Sequence, residues 1–76
     1  MSYGYSVRLI QLNNEADSTL IGVRLGRVCI EHDISVLDVA SALRVSRQTI
    51  YHWFGGTYLP KKETAARIRK YMDALA

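Results

Sequence analysis

The chain has 76 residues, 49% of them hydrophobic, which suffices for one small single-core domain and is too short for more. Ten Lys and Arg against seven Asp and Glu give a net charge of +3, and Cys29 is the sole cysteine, so an intrachain disulfide and a zinc site with two or more cysteine ligands from this chain are excluded. No apolar run reaches transmembrane length, and the start MSYGYSVRLIQ lacks the basic opening and long apolar core of a signal peptide; the expectation is a soluble, cytoplasmic protein.

Tyr5, Val7 and Leu9 alternate with Ser6, Arg8 and Ile10, a period of two in a β-branched and aromatic context, so residues 5–12 read as a strand. Asn13-Asn14-Glu15 reads as a break. A lone strand needs a partner, either a second copy across a two-fold axis or another segment. An arm that orders only on contact is the other reading, and the pattern leaves both open. Residues 1–17 are thus an N-terminal arm or dimerisation strand, followed by a helical domain over 18–76.

Asp17 or Ser18 can cap a helix running to about Glu31, with Ile21, Leu25 and Val28 on one face and Arg24, Arg27 and Glu31 on the other. Gly22 and Gly26 weaken it by up to about 1 kcal/mol each relative to Ala, so it must rely on packing, and glycines four apart allow another element to approach closely. His32-Asp33 ends this helix and Ile34 plugs the turn. Ser35 opens the next helix in a Ser-x-x-Asp capping box with Asp38. Val36, Val39, Ala40 and Leu43 form its inward stripe, and it stops at Arg44-Val45.

Ser46 starts a third helix, its side chain able to cap the amide of Gln48 or Thr49. Ile50 and Trp53 face inward, while Arg47, Gln48, Tyr51 and His52 stay outside. Gly55 and Gly56 permit positive φ at its end, and Pro60 suits the first turn of a fourth helix in which Ala65, Ile68, Met72 and Leu75 face inward. The charge is uneven. Residues 1–34 carry three basic and four acidic side chains, residues 35–76 seven basic and three acidic, so positive potential gathers in the second half, as a phosphate-facing surface requires.

The segment Gly22-x-x-Leu25-x-x-Val28, then Ile34-Ser35-x-x-x-Val39-Ala40-x-x-Leu43-x-Val45-Ser46-x-x-Thr49-Ile50-x-x-Trp53-x-x-Gly56-x-x-x-Pro60, resembles the Cro and lambda-repressor-like helix-turn-helix family, also called the XRE type. The likeness covers about residues 20–70. It implies an all-α, compact four-helix domain whose third helix enters the DNA major groove, typically in a dimeric transcriptional repressor of a phage, plasmid or bacterium. By position it makes Ser46, Arg47, Gln48, Tyr51 and His52 base-contacting. Gln48 can read adenine N6 and N7, and Arg47 can pair with guanine O6 and N7 or settle on a phosphate. Ser35, at a helix N-terminus, should aim amides at a phosphate, with Thr57, Tyr58, Lys61 and Lys62 as further backbone contacts.

The sequence departs from the family at Arg44, where Gly is frequent, so a non-Gly residue is expected in the left-handed region at a cost of about 1 kcal/mol. It departs again at Cys29 and Phe54, which replace an Arg and a Glu able to pair between helices; an apolar contact between them is the expected substitute. Catalysis finds no support: His32 and His52 lie on different elements and no carboxylate pair has acid/base spacing. No cofactor, metal or small-molecule ligand is implied. The expected partners are double-stranded DNA and a second copy of the chain. The rival reading is an antitoxin or host-factor-binding module that uses the same fold mainly for protein contacts.

Overall fold

The computed structural model describes residues 5–75 and resolves five helices: α1 (Val7–Glu15), α2 (Ile21–Glu31), α3 (Val36–Leu43), α4 (Arg47–Phe54) and α5 (Lys62–Leu75). The central element is α2, against which α1, α4 and α5 all pack, while α3 packs on α4. Its two glycines explain how. A Cβ on Gly22 would lie 2.8 Å from both the Cβ and the carbonyl oxygen of Trp53, and one on Gly26 would lie 2.9 Å from Cγ of Phe54 and closer still to the Asn13 amide. The expected close approach is therefore made by α4 at both positions and by α1 at the second.

The expected strand over residues 5–12 is corrected: the segment is helical from Val7 onward, no strand occurs among the described residues, and the helices number five rather than four. Ser6 caps α1 by accepting from the Leu9 amide at 3.1 Å. The buried residues are Tyr5, Leu9 and Asn13, spaced by four, whereas Val7 is 80% exposed. The period of two was a coincidence of composition, because a helix needs only every fourth residue to be buried here. Nor do Asn13 and Asn14 break the chain. The Asn13 amide donates to the carbonyls of Val23 (3.0 Å) and Phe54 (2.8 Å), so tertiary bonding overrides the poor helix propensity of Asn. Residues 1–4 of the expected arm lie outside the described residues.

Asp17 and Ser18 do not cap α2, which begins at Ile21 after an uncapped Leu20. The Asp17 carboxylate instead accepts from the amide (2.9 Å) and hydroxyl (2.7 Å) of Thr19, which holds it below the usual carboxylate range. Arg27, expected on the solvent face, is half-buried and directs Nη2 at the Asn13, Asn14 and Ala16 carbonyls, nearest at 3.2 Å to Asn14. A cation there complements the C-terminal dipole of α1.

Three successive helices end in the same bonding pattern. After α2, Ile34 N donates to Cys29 O and Asp33 N to Ile30 O; after α3, Val45 N donates to Ala40 O and Arg44 N to Ser41 O; after α4, Thr57 N donates to His52 O and Gly56 N to Trp53 O. Each is a Schellman turn with a left-handed residue at its hinge: Asp33 (φ 54°), Arg44 (φ 58°) and Gly56 (φ 76°). Arg44 is thus left-handed as the sequence requires. Ile34 and Val45, the residues after the first two hinges, pack against the core.

The core cluster joins Tyr5, Leu9, Leu25, Cys29, Val39, Ile50, Phe54 and Ile68, among others. Cys29 and Phe54 are both fully buried in it, and Tyr5 of the same cluster stacks on Phe54. Helix α5 begins two residues later than Pro60 and buries Ala65 and Ile68. Arg67 donates to the Leu43 carbonyl, fastening α5 to the end of α3. Among the described residues no helix is long and apolar enough to cross a membrane.

Candidate nucleic-acid interface

Helix α4 is short, so its two faces are sharply divided. Ile50, Trp53 and Phe54 are buried, while Arg47, Gln48 and Tyr51 are exposed. Its start is fixed by Ser46, whose Oγ accepts from the Thr49 amide at 3.1 Å and lies 2.9 Å from the Thr49 hydroxyl. Arg44 and Val45 are the only residues between the end of α3 and this cap. Because the turn is locked by its two backbone bonds and Ile50 is packed in the core, the exposed first turn of α4 is held rigidly.

Of the residues expected to contact bases, Ser46, Arg47, Gln48 and Tyr51 surround one shallow depression. Tyr51 also lines a second groove, together with His52 and Thr57. Thr57 in turn shares a third cleft with Tyr58 and Lys61 beneath the loop leading to α5. These three hollows form a continuous strip along α4 and the following loop. His52 is not fully outside as expected. It is half-buried and its ring lies against Tyr58, centroids 4.3 Å apart and planes tilted by 38°. The Ser46 hydroxyl is engaged in capping, which leaves it less free for a partner than Arg47 or Gln48.

Lys61 and Lys62 are both exposed, and Lys62 is outside the cleft that Lys61 lines. Ser35 lines none of the three hollows. It caps α3 as expected, accepting from the Asp38 amide at 3.1 Å. The Asp38 carboxylate stands in that same first turn, where its charge opposes a second anion.

One cation beside the strip escapes sequence reasoning. Arg8 of α1 lines the groove with Tyr51, His52 and Thr57. Reading residues 5–12 as extended placed it on an arm of unknown direction. The signal that finds it is Ser6 three residues before Leu9, a helix start, with Tyr5 and Leu9 four apart.

Comparison with protein-family models, with curated proteins and with solved structures finds no match to this chain.

Proposed function

We propose that the chain is a sequence-specific double-stranded DNA-binding regulator, a small Cro-like repressor that places α4 in the major groove and acts as a homodimer on a two-fold symmetric operator. The observation that carries this reading is the division of α4. Arg47, Gln48 and Tyr51 project from one rigid exposed face while Ile50, Trp53 and Phe54 of the same helix are locked in the core. A helix held in this way can present Arg and Gln side chains to base edges, where Gln reads adenine and Arg reads guanine. The family resemblance across residues 20–70 supports the same assignment, as does the left-handed Arg44 in the turn before α4. Repression would follow from occlusion of a promoter that overlaps the operator.

The test is enrichment of bound sites from random duplexes. Inverted repeats are expected, with half-site centres about 34 Å apart or a multiple of that. Gln48→Ala should lose about 1–3 kcal/mol of discrimination at one base pair per half-site. Equal affinity for every duplex overturns sequence-specific reading. Failure to bind any duplex at about 50 mM salt, where phosphate contacts are strongest, turns the assignment to a protein-binding module.

A further inference from the structure

We infer that α1 belongs to the DNA-binding surface and that Arg8 holds a backbone phosphate beside α4; this rests on the duplex-binding reading above. Arg8 and Ser6 line, with Tyr51, His52 and Thr57, one open groove of about 430 Å³. That groove shares Tyr51 with the depression around Arg47 and Gln48, and Thr57 with the cleft of Tyr58 and Lys61. Arg8 therefore lines the hollow that shares a residue with each of the other two.

The polar groups of the groove, set beside the apolar Leu9 and Leu12, suit a phosphodiester. Its lining holds no carboxylate. It offers the Arg8 guanidinium together with side chains that can each donate: the Ser6, Tyr51 and Thr57 hydroxyls and the His52 ring. The Ser6 oxygen accepts from the Leu9 amide, a bond that does not use its hydroxyl hydrogen. A guanidinium with neutral donors around it matches the oxygens of a phosphate.

The attachment of α1 is rigid. Asn13 donates to the Phe54 carbonyl at the end of α4 at 2.8 Å, and Leu9 is buried in the core. A phosphate held by Arg8 would accordingly be gripped at a fixed place beside α4, adding the same attraction on every duplex. Arg8 is a positioning contact in this sense, and it carries no base preference of its own.

The experiment compares the full chain with Arg8→Gln and Arg8→Lys in titrations of the duplex enriched from the random pool and of a scrambled duplex, across a salt series. Arg8 is exposed, and Gln is a good helix former, so both variants should match the parent in far-ultraviolet circular dichroism. For Arg8→Gln the slope of log K against log salt should fall by about 0.9, which is about an eightfold loss at 0.1 M salt relative to an extrapolated 1 M. The loss should be the same on both duplexes, leaving the base preference intact, and Arg8→Lys should keep the parent's slope. An unchanged slope in Arg8→Gln, with the parent binding its enriched duplex, overturns the inference and leaves the proposed function standing. A changed solution mass with an unchanged slope also overturns it, by assigning the groove to a protein contact. If the parent binds no duplex, both fail together.

Discussion

Tyr5 stacks on Phe54 with ring centroids 6.1 Å apart and planes inclined by 17°, and its hydroxyl donates to the Ile34 carbonyl at 2.6 Å. The first described residue is thereby joined to the end of α4 and to the turn after α2, so the segment preceding α1 closes the core. Tyr5→Phe removes only the hydrogen bond and should lower stability by about 1 kcal/mol. Tyr5→Ala removes the ring as well and should cost about 3–5 kcal/mol, much of what a domain of this size possesses. Deleting residues 1–12, which also removes Leu9, should leave the chain unfolded. Urea titrations followed by circular dichroism measure all three, and a truncated chain that melts cooperatively near the parent's midpoint would contradict this account.

Gly22→Ala sets two effects against each other. Helix propensity favours Ala by up to about 1 kcal/mol. The added methyl, however, would meet Cβ and the carbonyl oxygen of Trp53 at 2.8 Å. Neither atom is the loose end of a flexible side chain, so relief requires α4 to move away from α2. The clash should win, with a net loss of about 1–3 kcal/mol, as overpacking usually brings. Because Trp53 anchors the exposed face of α4, DNA affinity should fall along with the melting temperature. A melting temperature at or above the parent's would show that the helices separate without cost.

What the sequence makes legible follows from which residues carry local signals. The apolar stripe Val36, Val39, Ala40 and Leu43, the Ser35 and Ser46 caps and the left-handed Arg44 and Gly56 are all fixed within a few residues of themselves, and each stands where the pattern puts it. The exposed face of α4 is legible for the same reason. What misleads is the segment governed by distant partners. Asn13 looks like a helix breaker because its compensation comes from the Val23 and Phe54 carbonyls, ten and 41 residues away. Arg27 looks solvated because the carbonyls it serves belong to a helix not recognised beforehand. The groove that brings Arg8 beside Tyr51 depends on both, so that part of the candidate site could not be read before α1 was.

Alkaline pH should destabilise the protein through groups buried in their neutral forms. Burial pushes the Cys29 thiol from an ordinary value near 9 up to about 12, although the neighbouring Tyr5 hydroxyl works against this. Burial, with the nearby Cys29 next in effect, raises Tyr5 well above its ordinary 10. Between about pH 9 and 12 the unfolded chain has released the thiol proton that the folded chain still holds. The unfolded state then binds fewer protons, so stability falls as pH rises, by up to about 1.4 kcal/mol per pH unit for one group. Below about pH 9 the contribution is fully present. Cys29→Ala should flatten the fall between pH 9 and 10 and leave the steeper fall above 10, where Tyr5 takes over. Urea midpoints across this range decide it: an equally steep decline in the variant from pH 9 would assign the effect elsewhere.

Ser46 and Gln48 are two residues apart on the same exposed turn, yet they should fail in different ways. Ser46 Oγ accepts from the Thr49 amide and contacts the Thr49 hydroxyl, so Ser46→Ala removes a helix cap and should cost about 1 kcal/mol of stability. The Gln48 side chain is exposed, and Gln48→Ala replaces it with the strongest helix former, so stability should hold or rise slightly. On DNA the order reverses. Gln48→Ala should lose preference for one base pair in each half-site while keeping its salt dependence. Ser46→Ala should weaken binding and blur the preference at several positions at once, because a frayed first turn displaces Arg47 and Gln48 together. Thermal melts paired with titrations of the enriched duplex and its single-base variants separate the two roles. If Ser46→Ala instead melts like the parent and loses discrimination at one position only, its hydroxyl reads a base directly and the cap at Thr49 is dispensable.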